Sequence, residues 1–179
     1  MRASDQVNDF HADEFSLTEE PDRLPLWSRP GYLVRRLHQI HSALFAEECR
    51  SFGITPVQYG LMTALHHHPG SDQVTLGAEL GIDRSNVADV LARLAERGLV
   101  RRAKGDADRR TMLAYLTADG TALMRTMYGA MQRSQERLLA PLPAEQRAAF
   151  MAMLVALVDG NSAHGPEAKP SQPAAQLEP

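Results

Sequence analysis

The sequence predicts a mainly α-helical protein with one small β element. Apolar residues recur at helical spacing through most of the chain between residues 27 and 160. Two short β-prone runs, at residues 99–103 and 111–116, flank a polar turn and predict a hairpin. A short helix, a glycine and a longer helix precede it at residues 75–97. We therefore expect a helix-turn-helix followed by a hairpin, with further helices on either side.

Length and composition limit the class of protein. The chain has 179 residues, of which 44% are hydrophobic and 23% charged, as in ordinary globular domains. No apolar stretch approaches the roughly 18 residues of a membrane span, and the acidic N-terminus is unlike a signal peptide. We expect a cytoplasmic protein with no membrane partner. The one cysteine, Cys49, excludes an intramolecular disulfide and cannot alone supply a structural zinc site.

The charge is unevenly distributed. The formal net charge is -3, yet residues 1–24 alone hold seven acidic and two basic side chains. Residues 84–110 hold eight basic side chains against four acidic ones, a local charge of +4. A basic window of this kind in a mildly acidic protein indicates a localised contact with a polyanion.

Composition also divides the chain into regions. Residues 1–26 predict an acidic, flexible arm, and residues 161–179, with four prolines, predict a disordered tail. Residues 55–116 hold the helix-turn-helix and the hairpin. Residues 27–54 and 117–160 supply three more helices, whose apolar stripes have little of their own domain to cover. We expect these helices to pack against a second copy of the chain, as a helical dimerisation region.

Capping residues predict where the helices begin and end. Ser28 is a possible N-cap for a first helix that runs to about residue 50. Thr55 precedes a second helix, at residues 56–67, and Thr117 precedes a long helix that ends before residue 141. The last helix starts near Pro143 and stops at Gly160.

The helix-turn-helix pattern has a clear physical logic. Ala78 is small enough to let its two helices approach, and Gly81 permits the tight turn between them. Asp83 is expected to cap the second helix, at residues 84–97. The solvent side of that helix carries short polar groups near its N-terminus, as entry into a DNA major groove requires. Its candidate DNA-contacting residues are Arg84, Ser85, Asn86, Asp89 and Arg93.

A hairpin directly after a helix-turn-helix is a wing. Arg109 and Arg110, at its predicted tip, are placed to reach phosphates or a minor groove. Asp108 beside them can hold a guanidinium in one rotamer and so orient it. Arg101 and Arg102 begin the first strand, where one is expected to point to phosphate and the other to solvent.

The order of elements and the residues that mark them resemble the multiple-antibiotic-resistance regulator (MarR) family of winged-helix transcription factors. The resemblance covers about residues 31–158. It rests on Leu76-x-x-x-Leu80-Gly81-Ile82-Asp83-Arg84-Ser85-x-Val87, on Leu94-x-Glu96-Arg97-Gly98-Leu99-Val100-Arg101-Arg102, and on Asp106-x-Asp108-Arg109-Arg110 followed by Leu116-Thr117-x-x-Gly120.

This resemblance carries specific expectations about function. It implies an obligate homodimer on a pseudopalindromic double-stranded DNA operator, with recognition helices in successive major grooves and wing arginines in the flanking minor grooves. It also implies that a small molecule, commonly an aromatic acid or a phenol, binds between the helical region and the winged helix and releases the DNA. Asp108 and Arg110 match the family's wing pair, in which the acid orients the arginine.

Candidate effector-binding residues lie on and just before the first two helices. His41 is on the apolar side of the first helix, and Arg36 is at the margin of that stripe. Donors of this kind could hold a carboxylate or a phenolate. The full candidate set is Ser28, Arg36, His41, Tyr59, Thr63 and His66. The alternatives are that His41 is a core histidine and that Ser28 is only a helix cap.

No motif in the sequence indicates an enzyme. The chain lacks a nucleophile–base pair, a phosphate-cradling glycine loop and a metal constellation, so we expect no enzyme activity, no metal site and no cofactor. Residues 66–68 are consecutive histidines, and on a helix end they point 100° apart, so they cannot all bind one ion. Two alternatives to an effector-released repressor are a redox sensor acting through Cys49 and a DNA-binding protein without a ligand. Neighbouring Glu47 and Glu48 disfavour a reactive thiol at Cys49.

Overall fold

Within the residues that the structure describes, six α-helices and one β-hairpin form a mostly helical fold, as the sequence predicts. The computed structural model describes residues 26–105 and 110–164. The helices are α1 (Pro30–Glu48), α2 (Pro56–His67), α3 (Gln73–Leu80), α4 (Arg84–Glu96), α5 (Ala118–Leu139) and α6 (Ala144–Gly160). The strands are β1 (Val100–Lys104) and β2 (Met112–Leu116). Residues 1–25 of the predicted arm, most of the predicted tail, and wing residues Asp108 and Arg109 lie outside the described residues.

The start of the first helix differs from the prediction. Leu26–Ser28 forms a 3-10 turn, and Arg29 occupies the N-cap position of α1. Ser28 is buried in that turn, because the turn packs against the beginning of the helix. The helix ends at Glu48, two residues early, because the chain tightens into a second 3-10 turn, Arg50–Phe52. Gly53, at φ +60°, closes this turn in the left-handed region that favours glycine.

Side-chain caps confirm the helices that the sequence marks. Thr55 accepts a hydrogen bond from the Gln58 backbone at 3.2 Å, while the Gln58 side chain accepts one from the Thr55 backbone at 3.0 Å. This reciprocal capping box opens α2. The helix α3 begins at Gln73, two residues before the prediction, because the carboxylate of Asp72 caps it. Asp83 occupies the N-cap position of α4, with no side-chain capping bond.

The helix-turn-helix comprises α3 and α4, and a glycine sets their separation. A Cβ added to Gly77 would lie 2.9 Å from the backbone oxygen of Ile82. Gly77 therefore permits the close approach of α3 to the turn before α4. Ala78, which the sequence suggests for the contact between the two helices, is half-buried. Gly81 closes α3 at φ +65°, as expected. Leu76 and the inward side of α4, with Val87, Leu91 and Leu94, fill the wedge between the helices.

The core extends from the winged helix into α1 and α5. Leu61, Met62 and Leu65 of α2 are buried together with Met127 of α5. The two strands pair antiparallel from Val100 opposite Leu116 to Lys104 opposite Met112. Ser71 adds an isolated bridge to Ala114 of β2. The hairpin is therefore attached to the loop before α3, which holds the wing against the helix-turn-helix.

Candidate nucleic-acid interface and effector pocket

The helix α4 has an apolar inner side and a polar outer side. Val87, Leu91 and Leu94 are buried against the core. The predicted DNA-contacting residues of this helix are all exposed: Arg84, Ser85, Asn86, Asp89 and Arg93. Asn86 and Asp89 lie on the first two turns of the helix, and both side chains are exposed. A helix with this arrangement can lie in a groove of DNA with its N-terminal side chains next to the base edges.

A basic cleft lies between the start of α3, the start of α4 and the wing. It has a volume of about 350 Å³ and brings together Arg84 of α4, Arg102 of β1 and Arg110 of the hairpin. Its other lining residues are Asp72, Gln73, Val74, Thr111 and Met112. Three guanidinium groups against one carboxylate leave the cleft with an excess of positive charge. Chemically this arrangement suits a phosphate group.

Within this cleft, the Asp72 side chain caps the N-terminus of α3. The hydrogen bond from the Thr75 backbone, at 2.8 Å, lowers the pKa of the Asp72 carboxyl, and the charge of Arg84 lowers it further. Asp72 is therefore a carboxylate at neutral pH. It offsets part of the cleft's charge, and the three arginines of the cleft are exposed.

The two strand arginines have separate environments. Arg101 pairs with Tyr115 across the hairpin, and its guanidinium carbon lies 4.0 Å from the centroid of the tyrosine ring. Arg102 pairs with Ala114 and lines the basic cleft. The tyrosine ring holds Arg101 by a cation–π contact. Tyr115 was not among the predicted site residues, although its position opposite Arg101 in the predicted hairpin was the available signal.

An aromatic cluster joins α1 and α2. Phe45 of α1 is only 2% exposed, and its ring centroid lies 6.4 Å from that of His41 and 6.0 Å from that of Tyr59. The Thr63 hydroxyl donates to the Tyr59 backbone carbonyl at 2.9 Å. From α5, Gln135 brings its side-chain nitrogen within 3.4 Å of Nε2 of His41. His41, Tyr59 and Thr63, three of the six candidate effector residues, therefore share one site.

Burial tunes the two titratable groups of this cluster. It lowers the pKa of His41, and the charge of His38 lowers it further. It also raises the pKa of Tyr59. At neutral pH the cluster therefore presents a neutral imidazole and a phenolic hydroxyl that can donate a hydrogen bond. Phe45 and Gln135 were missed in the sequence, although Phe45 follows His41 by one helical turn.

The other three candidates are not brought into this cluster. Arg36 is exposed and donates to the Gln39 side chain at 2.9 Å. His66 is exposed near the end of α2, where its ring packs edge-on against that of His67, with centroids 5.4 Å apart. Ser28 is buried before α1, about 20 Å of helix away from His41 at 1.5 Å per residue.

Ion pairs tie the end of α1 to α5. Arg133 donates to Glu48 at 2.9 Å, and Arg137 donates to Glu48 at 2.9 Å and to Glu47 at 2.8 Å. These hydrogen bonds from the two arginines lower the pKa of Glu48. No sequence pattern predicts them, because their partners are about 85 to 90 residues apart.

The environment of Cys49 disfavours a reactive thiol. Cys49 is 1% exposed, and burial, together with the charge of Glu48, raises the pKa of its thiol. A high pKa and burial both oppose oxidation of a thiol.

Within residues 26–105 and 110–164, no three histidine, cysteine or acidic side chains gather into a set that could hold a metal ion. In the same ranges, no helix is both long enough and apolar enough to span a bilayer.

Comparison with known proteins agrees with this geometry. The model of the MarR family matches residues 52–111. The transcriptional repressor NicR of Pseudomonas putida is 28% identical over 152 residues, which is 81% of this chain and 96% of NicR. The transcriptional regulator HosA of Escherichia coli is 31% identical over 131 residues, which is 73% of this chain and 96% of HosA.

Solved structures give the same result. The regulator PcaV of Streptomyces coelicolor, in complex with its natural ligand, matches with a TM-score of 0.68 and 34% identity over 76% of this chain and 96% of PcaV. BpsR of Bordetella bronchiseptica, whose DNA binding is regulated by 6-hydroxynicotinic acid, matches with a TM-score of 0.69 and 29% identity over 73% of this chain and 94% of BpsR. The repressor CouR, bound to a 23-mer DNA duplex, matches with a TM-score of 0.70 and 28% identity over 74% of this chain and 94% of CouR. The chain therefore belongs to the MarR family of transcriptional regulators.

Proposed function

We propose that this protein is a homodimeric repressor that binds a pseudopalindromic operator and is released by a small aromatic carboxylate or phenol. The observation that carries the DNA-binding part is the basic cleft beside the exposed polar side of α4. A groove-reading helix and a phosphate-binding cleft on the same surface are the two components of specific DNA recognition.

The residues of this surface divide by role. On α4, Ser85, Asn86, Asp89 and Arg93 face the base edges of a major groove. Arg84 and Arg102 line the basic cleft and contact the sugar–phosphate backbone, and Arg110 lines the same cleft at the wing. The family resemblance assigns Asp108, Arg109 and Arg110 to the adjacent minor groove. Arg101, held on Tyr115, is a further phosphate contact at the side of the wing. The similar CouR is bound to a 23-mer DNA duplex, which supports duplex DNA as the partner of this surface.

Exposed apolar surface supports the dimer. On α1, Leu33, Val34 and Ile40 are exposed. On α6, the exposed apolar residues are Met151, Met153, Val155, Leu157 and Val158, the last 69% exposed. Within the described chain α6 has no extensive contact with any other helix. An apolar helix with so little contact in the described part of its own chain is suited to pairing with a second copy.

The aromatic cluster supports the effector site. The half-buried rings of His41 and Tyr59, packed on the buried Phe45, provide ring surface, and the Tyr59 hydroxyl and the Gln135 amide provide hydrogen-bond donors. A planar ring with a carboxylate or hydroxyl group matches these features. The similar BpsR is regulated by 6-hydroxynicotinic acid, which has such a ring and such groups. Tyr59 and His41 therefore bind the effector, with Thr63 holding the backbone of Tyr59.

The two-fold symmetry of the proposed dimer explains how an effector could release the DNA. The two recognition helices must lie about 34 Å apart to meet half-sites one DNA turn apart. An effector that binds better to a dimer with another spacing draws the population away from the DNA-competent state. The regulation therefore requires no chemical step.

A salt series tests the DNA surface. A duplex would first be selected from a random-sequence pool by the wild-type protein. The Arg102→Gln variant should bind this duplex more weakly at low salt, and the slope of log K against log salt should fall by about 0.9, because one phosphate fewer is neutralised. The matched control is Arg125→Gln on α5, which should leave the slope unchanged. Equal slopes in the wild type and Arg102→Gln would remove the basic cleft from the interface.

A thermal-shift measurement tests the effector site. At 100 times its Kd, 6-hydroxynicotinic acid should stabilise the folded protein by about 2.7 kcal/mol, or roughly 5–10 °C in Tm. The corresponding amide, which lacks the carboxylate, is the matched control ligand. Tyr59→Phe should reduce the shift without weakening duplex binding. Equal shifts with acid and amide would exclude a carboxylate effector, and an unchanged shift in Tyr59→Phe would exclude this cluster.

A further inference from the structure

One arginine connects the recognition helix to the helical region. Arg97 stands at the C-terminal end of α4 and has an exposed side chain. Its Nη1 donates to the backbone carbonyl of Gly53 at 2.6 Å, and its Nη2 donates to that of Phe52 at 2.9 Å. These carbonyls belong to the turn between α1 and α2, 44 and 45 residues away in the sequence.

The same turn is held from the other side. It follows directly on α1, whose last residues, Glu47 and Glu48, pair with Arg133 and Arg137 of α5. Hydrogen bonds therefore hold this segment at two places: α5 holds the end of α1, and Arg97 holds the turn a few residues further along the backbone. The candidate effector cluster lies on α1 and α2, on either side of this turn.

We propose that Arg97 is a positioning residue that transmits the position of the end of α1 to the recognition helix. This inference rests on the proposed DNA-binding function. Displacement of α1 against α2 moves the carbonyls of Phe52 and Gly53, and the guanidinium moves the end of α4 with them. Arg97 itself does not contact DNA in this mechanism.

The chemistry of the side chain suits this role. A guanidinium is a rigid planar fork that can donate to two neighbouring carbonyls at once, whereas an ammonium offers one nitrogen. Gly53 is left-handed and lacks a Cβ, and an added Cβ would lie 3.9 Å from both terminal nitrogens of Arg97. The carbonyls of the turn are therefore held at close range by a fixed geometry and not by charge alone.

A double-mutant cycle tests the coupling without an effector. The end of α1 is loosened by Glu48→Gln, and the Kd for the selected duplex is measured with Arg97 intact and with Arg97→Gln. With Arg97 intact, Glu48→Gln should weaken duplex binding by about 2- to 30-fold, the range for residues that modulate coupling between sites. In the Arg97→Gln background the same substitution should change the Kd by less than about twofold. Repeating the cycle with Arg133→Gln guards against misfolding of the glutamate variant.

Controls separate positioning from charge and from stability. Arg97→Lys keeps the charge but offers one nitrogen, so it should restore only part of the coupling. Arg125→Gln combined with Glu48→Gln should show no interaction between the two changes. Equal effects of Glu48→Gln in both Arg97 backgrounds, or no effect with Arg97 intact, would overturn the inference while leaving wild-type duplex binding in place. A wild-type protein that selects no duplex would overturn the proposed function, and this inference with it.

Discussion

The junction between the wing and α5 depends on one glycine. Gly120 lies in the first turn of α5, and its backbone nitrogen donates to the Thr117 cap at 3.0 Å. A Cβ added at this position would overlap the backbone carbonyl oxygen of Leu99 and lie 3.2 Å from the Leu116 side chain. Because the main obstacle is backbone, it cannot turn aside as a flexible side chain would. We predict that Gly120→Ala forces α5 away from the start of the wing.

The expected cost can be estimated from this geometry. Overpacking of a well-packed site costs about 1–3 kcal/mol, and the backbone neighbour places Gly120→Ala at the upper end, about 3 kcal/mol. For a chain of this length, that corresponds to a fall in Tm of roughly 6–12 °C. Gly129→Ala, in the same helix, is the matched control, since its added Cβ would meet only Arg133 at 3.6 Å. This control should stabilise by about 0.5–1 kcal/mol, because alanine favours a helix more than glycine does.

The assay is thermal or urea unfolding of both variants at one protein concentration, since the apparent stability of the proposed dimer depends on concentration. Opposite signs for the same substitution in one helix would support the close approach at Gly120. Stabilisation by Gly120→Ala, of the size seen for Gly129→Ala, would refute the reasoning, because it would mean that no atom blocks the Cβ.

Burial and capping support three more predictions. Cys49 should react with a disulfide reagent at least about tenfold more slowly in the native protein than in urea. Peroxide should leave duplex binding unchanged. If peroxide abolished binding in the wild type but not in Cys49→Ser, the redox-sensor alternative would be restored. The pKa of His41 in the folded chain is lowered from 6.5, so the unfolded chain binds a proton at this residue more readily. The stability that the neutral His41 contributes is therefore present above pH 6.5 and is lost as the pH falls through the lowered pKa of the folded chain. His41→Gln should remove this part of the Tm-against-pH profile, and an unaltered profile would contradict the assignment. Thr55→Ala, which breaks the capping box with Gln58, should cost about 1 kcal/mol in urea unfolding; no change would show that the cap contributes nothing.

The sequence predicted the architecture well because its signals are local. Thr55 and Thr117 cap helices through backbone groups three residues away, and Gly81 breaks a helix at its own position. Such interactions need no knowledge of the rest of the chain. The errors were local too: Asp72 started α3 earlier than expected, and a 3-10 turn placed Arg29 at the N-cap in place of Ser28.

The candidate sites were predicted less completely. The exposed polar side of α4 follows from helical periodicity, so its residues could be named from the sequence. In the candidate effector cluster, the sequence named His41, Tyr59 and Thr63, but the other candidates Arg36 and His66 lie at exposed positions with other partners. Helical projection shows which side of one helix a residue is on, and it does not show which side faces another helix.

The amino-acid sequence by itself therefore determined the helices, the wing and the identity of the basic window, since periodicity, caps and glycines act over a few residues. Only the tertiary structure decided that Arg84, Arg102 and Arg110 share one cleft and that Arg97 reaches the carbonyls of Phe52 and Gly53. These contacts join elements far apart in the chain. They depend on how whole helices pack against each other. That packing is determined by burial of the entire core, so no short segment of the sequence encodes it.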